Sequence, residues 1–114
     1  MPTKSLTLRE DSDVIIVDVN TDLGSYEAAE LRRGLQELIG QEAEKIVVNL
    51  NGVQHINSTA VGALVGVAKR LRQKSGDLKV FGTADHIKRT FDMIGASRVL
   101  ELYESETSAL AGFK

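Results

Sequence analysis

The segment Lys45–Lys74, KIVVNLNGVQHINSTAVGALVGVAKRLRQK, constrains the fold more than any other. Ile46, Val47, Val48 and Leu50 make an almost continuous apolar run rich in β-branched residues. Such a run reads as a strand buried on both faces of a parallel sheet. Asn49, Asn51 and Gly52 then mark a turn out of the sheet. From Thr59 the period changes: Val61, Leu64, Val65, Ala68 and Leu71 fall at helical spacing and predict one apolar stripe. No Asp, Glu, Lys or Arg occurs between Asn51 and Ala68 in a chain that is 26% charged. A gap of this kind predicts a surface that is buried or that meets something.

Ser58 and Thr59 stand where the loop becomes the helix, and Asn57 or Ser58 suits the N-cap. The first-turn N–H groups have no partner within a helix, and the dipole adds partial positive charge. A phosphate on Ser58 would meet a site already suited to an anion. It would bring nearly two negative charges to an uncharged surface. The plainer reading of Ser58 is a cap and nothing more. Ala60, Ala63 and Val67 lie beside the core stripe and predict a docking face, whereas Gly62 and Gly66 predict close packing of the helix on the sheet.

The chain has 114 residues, the size of one domain covering 1–114. Leu6 and Leu8 alternate with Thr7 and Arg9, predicting a first strand. Asp11–Asp13 make a turn into a second strand, Val14–Val19; so short a connection permits an antiparallel hairpin but no parallel crossover. Ser25 is placed to cap a helix to about Ile39, with Ala28, Leu31, Leu35, Leu38 and Ile39 inside and Gly40 as its stop. Its charged residues Glu27, Glu30, Arg32 and Arg33 predict a solvated face. Asp77–Phe81 reads as a strand, Thr83 as the cap of a helix with Ile87, Phe91 and Ile94 inward, and Gly95 as its end. Val99–Tyr103 predicts a short edge strand, and Ser105 caps a last short helix with Ala109 and Leu110. The expected architecture is α/β: a hairpin leading into a mostly parallel sheet of four to five strands, packed with about four helices. Partners of such sheets gather beyond the carboxyl ends of the strands, where the Asn51–Thr59 loop falls.

Much is excluded. A net charge of −2 gives no basic footprint for nucleic acid. The absence of cysteine removes disulfides, thiolate zinc sites and thiol catalysis. His55 and His86 are the only histidines and share no metal-ligand spacing, so no metal and no cofactor is expected. Asp85 and His86 are adjacent on a helix and do not face each other. A phosphoryl-receiver reading needs an Asp where Asn49 and Asn51 stand. No G-x-S-x-G, P-loop or G-x-G-x-x-G occurs, and no catalytic set is expected. The start MPTKSLTLRE has no apolar signal region and no run is long enough to cross a bilayer, so a soluble cytoplasmic protein is expected. Tyr26 and Tyr103 read as structural or incidental.

The segment VVNLNGVQHINSTAVGALVGVAKRLRQKSGDLKVFG resembles the core of the STAS domain family, the anti-sigma factor antagonists. That family's pattern is V-x-x-I-D-S-[ST]-G-L-G, a helix with small residues and a basic end, then a G-x-L-x-[LV]-x-G strand and a helix ending at glycine. Here these are Val53–Gly62, Gly76–Gly82 and the helix reaching Gly95, within a likeness running roughly from Leu6 to Ala111. The resemblance implies phosphorylation of Ser58 by a partner kinase, with Thr59 the second choice. It implies a partner surface of Asp22, Asn57, Ser58, Thr59, Ala60, Ala63 and Val67. It implies an anti-sigma factor with serine protein kinase activity as partner, a serine phosphatase that resets the switch, and room for a weak homodimer. Unphosphorylated, such a protein binds the kinase and frees a sigma factor; phosphorylated, it lets go. Two departures stand out. Asn57 replaces the motif Asp and supplies no charge, and Ala60 replaces a Gly and excludes a positive φ there. Gly24 also stands where a second Asp is common. The alternative is a constitutive structural subunit of a transport or signalling assembly, never phosphorylated.

Overall fold

The structure is a computed structural model and describes residues 3–114. The two N-terminal apolar runs form β1 (Leu6–Asp11) and β2 (Val14–Val19), antiparallel, with Leu6 opposite Val19 and Asp11 opposite Val14. Ser12, at φ 55°, takes the tight reversal between them. Beyond the hairpin every pairing is parallel: β2 with β3 (Lys45–Asn49), β3 with β4 (Asp77–Phe81), and β4 with the two-residue β5 (Leu102–Tyr103). The five strands lie in the order β1-β2-β3-β4-β5. Four α-helices connect or follow them: α1 (Ser25–Gly40), α2 (Ser58–Arg72), α3 (Asp85–Ile94) and α4 (Glu106–Ala111).

The central strand explains the layering. Ile46, Val47 and Val48 of β3 are all fully buried, so both sheet faces are covered. Ile46 and Val48 join the main core with Leu31 and Leu35 of α1, Leu64 and Leu71 of α2, and Ile87 and Phe91 of α3. Val47 faces the other way and packs with Val14, Ile16, Phe81 and Ala109, under a smaller layer that includes Tyr103, Leu110 and Phe113. The helices that bear on the loop before α2 therefore sit on one face, and α4 sits on the other.

Several local expectations are corrected. Gly24, in an extended conformation, is the N-cap of α1 and no side chain caps it; Ser25 is already helical. Leu23 is held by a parallel bridge to Ile56, and the chain turns into the helix directly after it. Gly40 is the last helical residue, and the reversal falls at Glu42, φ 66°. Ala84 precedes α3 without a side-chain cap, and the buried Thr83 hydroxyl has no partner among the described residues. Ile94 is half exposed: Gly95 ends α3 at φ 86°, and Ala96 and Leu100 fill the core at that level instead. The edge strand is shorter than Val99–Tyr103, because the N–H groups of Val99 and Leu100 turn back to the Ala96 carbonyl, at 3.0 and 2.8 Å, and continue the 3-10 turn Ala96–Arg98. Ser105 does cap α4, in a reciprocal box with Ser108.

Candidate functional site

The loop from Leu50 to Asn57 leaves the carboxyl end of β3 and is pinned along its length. Leu50 N–H donates to the Phe81 carbonyl at 3.0 Å, and Asn51 N–H donates to the Asn49 side chain at 2.9 Å. Asp22 reaches over from the neighbouring loop, and its Oδ1 accepts from the N–H groups of Gln54 at 2.7 Å and His55 at 3.2 Å. The Gln54 bond, and then the His55 bond, hold the Asp22 carboxyl below its ordinary pKa. Leu23 then exchanges backbone bonds with the same strand of loop: its N–H donates to His55 O at 2.8 Å and its carbonyl accepts from Asn57 N–H at 3.0 Å. His86 of α3 meets the Gln54 carbonyl through Nε2 at 2.5 Å. Val53 fills the core beneath. Three separate elements thus fix where α2 begins.

Asn57 is the N-cap of α2, extended at φ −93° and ψ 167°, and its Oδ1 accepts from Ala60 N–H at 2.9 Å. That bond answers the ambiguity between Asn57 and Ser58. Ser58 is the first helical residue and is exposed, and among the described residues its hydroxyl makes no hydrogen bond. It is not the cap. Thr59 is exposed beside it. No acidic side chain lies in the first turn of α2, whereas Lys69, Arg70 and Arg72 crowd its last. The exposed amino end of this helix therefore keeps its partial positive charge unneutralised by the helix's own side chains.

The residues singled out from sequence do not all share this surface. Ala60 is fully buried and belongs to the core, whereas Val67, 5% exposed, reaches the surface only by an edge. Ala63 is half buried. Gly62 and Gly66, predicted to pack against the sheet, face outward, and a Cβ on either would meet nothing within 4 Å. Asp22 and Asn57 turn acceptor oxygens to backbone N–H groups of their own chain. The exposed surface is thus Ser58, Thr59, Gly62 and Gly66, with Ala63 half buried among them. Gln54 and His86 join each other behind the loop; Gln54 was not singled out from sequence, and His86 was weighed there only as a metal ligand or catalytic partner. The signal for the glycines was their spacing with Thr59 and Ala63, outside the apolar stripe. Among the described residues, no three His, Asp or Glu side chains converge as metal ligands, and no helix is long and apolar enough to cross a membrane.

Residues 5–109 match the STAS domain model. An anti-sigma-B factor antagonist of Listeria monocytogenes is 30% identical over 103 residues, 90% of each chain. Among solved structures, an anti-sigma factor antagonist from Mycobacterium paratuberculosis superposes with a TM-score of 0.84 at 18% identity, over 94% of this chain and 91% of that one. The Bacillus cell fate determinant SpoIIAA in its phosphorylated form superposes with a TM-score of 0.73 at 16% identity, over 96% of this chain and 99% of that one. At these identities the two structures show the fold alone.

Proposed function

The chain belongs to the STAS domain family, and from that premise we propose that it is an anti-sigma factor antagonist switched by phosphorylation of Ser58. It is a binding module and not an enzyme. Its partner is an anti-sigma factor with serine kinase activity, which it holds when Ser58 is free. A serine phosphatase restores that state, and the protein works in the cytoplasm. The names of its curated relatives support the partner class. The observation that carries the switch is the free hydroxyl of Ser58, exposed at the first position of α2 while Asn57 does the capping.

The mechanism follows from charge. The γ-phosphoryl group of the kinase's ATP passes to Ser58 Oγ, ADP leaves and the hydroxyl proton is taken up by the kinase. The product carries about −1.5 to −2 charge at neutral pH. The N–H groups at the start of α2 and the helix dipole favour that anion, so the fold tolerates the modification. A partner seated on the surface beyond Ser58 meets a desolvated dianion instead, and binding is lost. Asn57 keeps the geometry of the motif without its carboxylate. Removing one negative charge next to Ser58 lowers the repulsion that an incoming phosphate would feel.

The test is phosphosite mapping by mass spectrometry after incubation with ATP and extract of the protein's own cells, beside a Ser58→Ala control. Phosphate on Ser58 that vanishes in the control supports the switch. Phosphate confined to Thr59 moves the site by one residue and keeps the mechanism. An extract with proven kinase activity that labels neither residue sinks the reading.

A further inference from the structure

An open groove of about 400 Å³ runs between α1 and α2. Its floor is Gly62, Ala63 and Gly66 with the edges of Val67 and Ile39, and Thr59 lies in its lining. Arg32 of α1 and Arg70 of α2 stand on its opposite walls, and no carboxylate among the described residues lines it. Neither arginine has an ion-pair partner among the described residues, although Arg9 and Arg72 do. The chain itself gives no packing reason for Gly62 or Gly66, since a side chain on either would reach only open space. Glycine is a poor helix former, and two in one helix interior call for a close approach by something else.

We propose that this groove seats an acidic amphipathic helix of a partner protein. Small residues four apart let a second helix lie close, so the floor fits a helix whose inner face is apolar. Two unpaired guanidinium groups on the walls select carboxylates along the flanks of that helix. A second copy of this chain fits poorly. Symmetric packing would set Arg32 and Arg70 of one copy against the same cations of the other, with no carboxylate in the lining. The inference deepens the partner reading above, because Thr59 and the free hydroxyl of Ser58 stand at the groove's amino end. Its test uses neither kinase nor phosphate, so the two readings fail separately.

Isotope-labelled protein is titrated with two synthetic helical peptides, followed by the amide signals of Gly62, Ala63 and Gly66. Both peptides carry the same Leu/Ala stripe, flanked by glutamates in one and by lysines in the other. The acidic peptide is expected to shift those amides and to bind at least about tenfold more tightly than the basic one. Reversing both walls, Arg32→Glu with Arg70→Glu, inverts the preference. Gly62→Leu fills the floor and abolishes binding. The fold of Gly62→Leu is checked on the amide signals of β3 and α3, which are expected to stay where they are in the parent. Equal affinity for both peptides, no shift at millimolar peptide, or shifts elsewhere on the molecule would overturn the proposal. So would a dimer of the unmodified protein, seen by sedimentation, that Gly62→Leu dissociates, for the occupant would then be a second copy.

Discussion

At the scale of single residues, Asn57 and Ser58 divide the labour that either could have done. Asn57 Oδ1 satisfies Ala60 N–H, so Asn57→Ala is expected to cost about 1 kcal/mol. Asn57→Asp keeps an equally good cap and adds a carboxylate at the positive end of the helix, so it is expected to be neutral or stabilising by a few tenths of a kcal/mol. Ser58→Ala removes a hydroxyl with no structural partner and is expected to stay within about 0.5 kcal/mol of the parent. Urea unfolding of the three variants checks the set. A Ser58→Ala loss as large as that of Asn57→Ala would return Ser58 to a capping role. Asp22 belongs to the same argument. Its folded pKa lies below the ordinary 3.8, so its grip on the loop is complete above that value and fades as pH falls through the lower folded one. Acid titration should therefore move the Gln54 and His55 amide signals together, below about pH 4. Asp22→Asn, which keeps an acceptor oxygen, should remove that pH dependence.

At the scale of elements, the glycines separate what a helix needs from what a sheet connection needs. Gly62→Ala and Gly66→Ala each replace a poor helix former by the best one in open space, and each is expected to stabilise by up to about 1 kcal/mol. Gly76, between α2 and β4, is the opposite case: a Cβ there would run into the backbone carbonyl of Glu44. Gly76→Ala is expected to destabilise by about 1–3 kcal/mol, as overpacking does. Thermal unfolding of the three variants should give opposite signs. The same glycines show what was legible in the sequence. The β-branched run of β3 and the stripe Val61, Leu64, Ala68, Leu71 read correctly because burial repeats with the period of the backbone. Gly62 did not, because a residue without a side chain looks alike whether it makes room for its own chain or for another. Ala60 and Val67 sit at the margin of the stripe, where a small change in how α2 lies on the sheet decides between core and surface. Ser25 and Thr83 were misread as caps because a cap depends on how the chain enters the helix. Here the Leu23–Ile56 bridge governs the entry to α1.

At the scale of the whole molecule, the two faces of the sheet are held by different forces. The face under α1, α2 and α3 is apolar throughout, whereas the face under α4 is closed over a buried lysine. Lys79 Nζ lies 3.3 Å from Glu101, 3.4 Å from Asp77, and 5.4 and 5.0 Å from the ring centroids of Tyr103 and Phe113. Arg9 adds a second clasp, joining Asp18 of β2 to Glu106 of α4 at 2.6 Å each. That clasp is partly exposed and contributes at most about 1 kcal/mol per pair. Burial works against the Lys79 charge, but Tyr103, Asp77 and Glu101 outweigh it and raise its pKa above the usual 10.5. Burial, and then the hydrogen bond to Glu101, raise the Tyr103 pKa above 10.0. A raised folded pKa means stabilisation that is complete below the unfolded value and is lost as pH rises through the folded one. Both groups therefore act in one direction, holding the α4 layer to beyond about pH 10 and releasing it above. In a Tyr26→Phe variant Tyr103 is the only tyrosine, and its absorbance change should rise at the same pH as hydrogen exchange in α4. Leu64 and Phe91, buried on the other face, should keep α2 and α3 protected through that pH range. Exchange that rises in α2 and α4 together would mean that the sheet transmits the loss, and that the two faces are one cooperative unit.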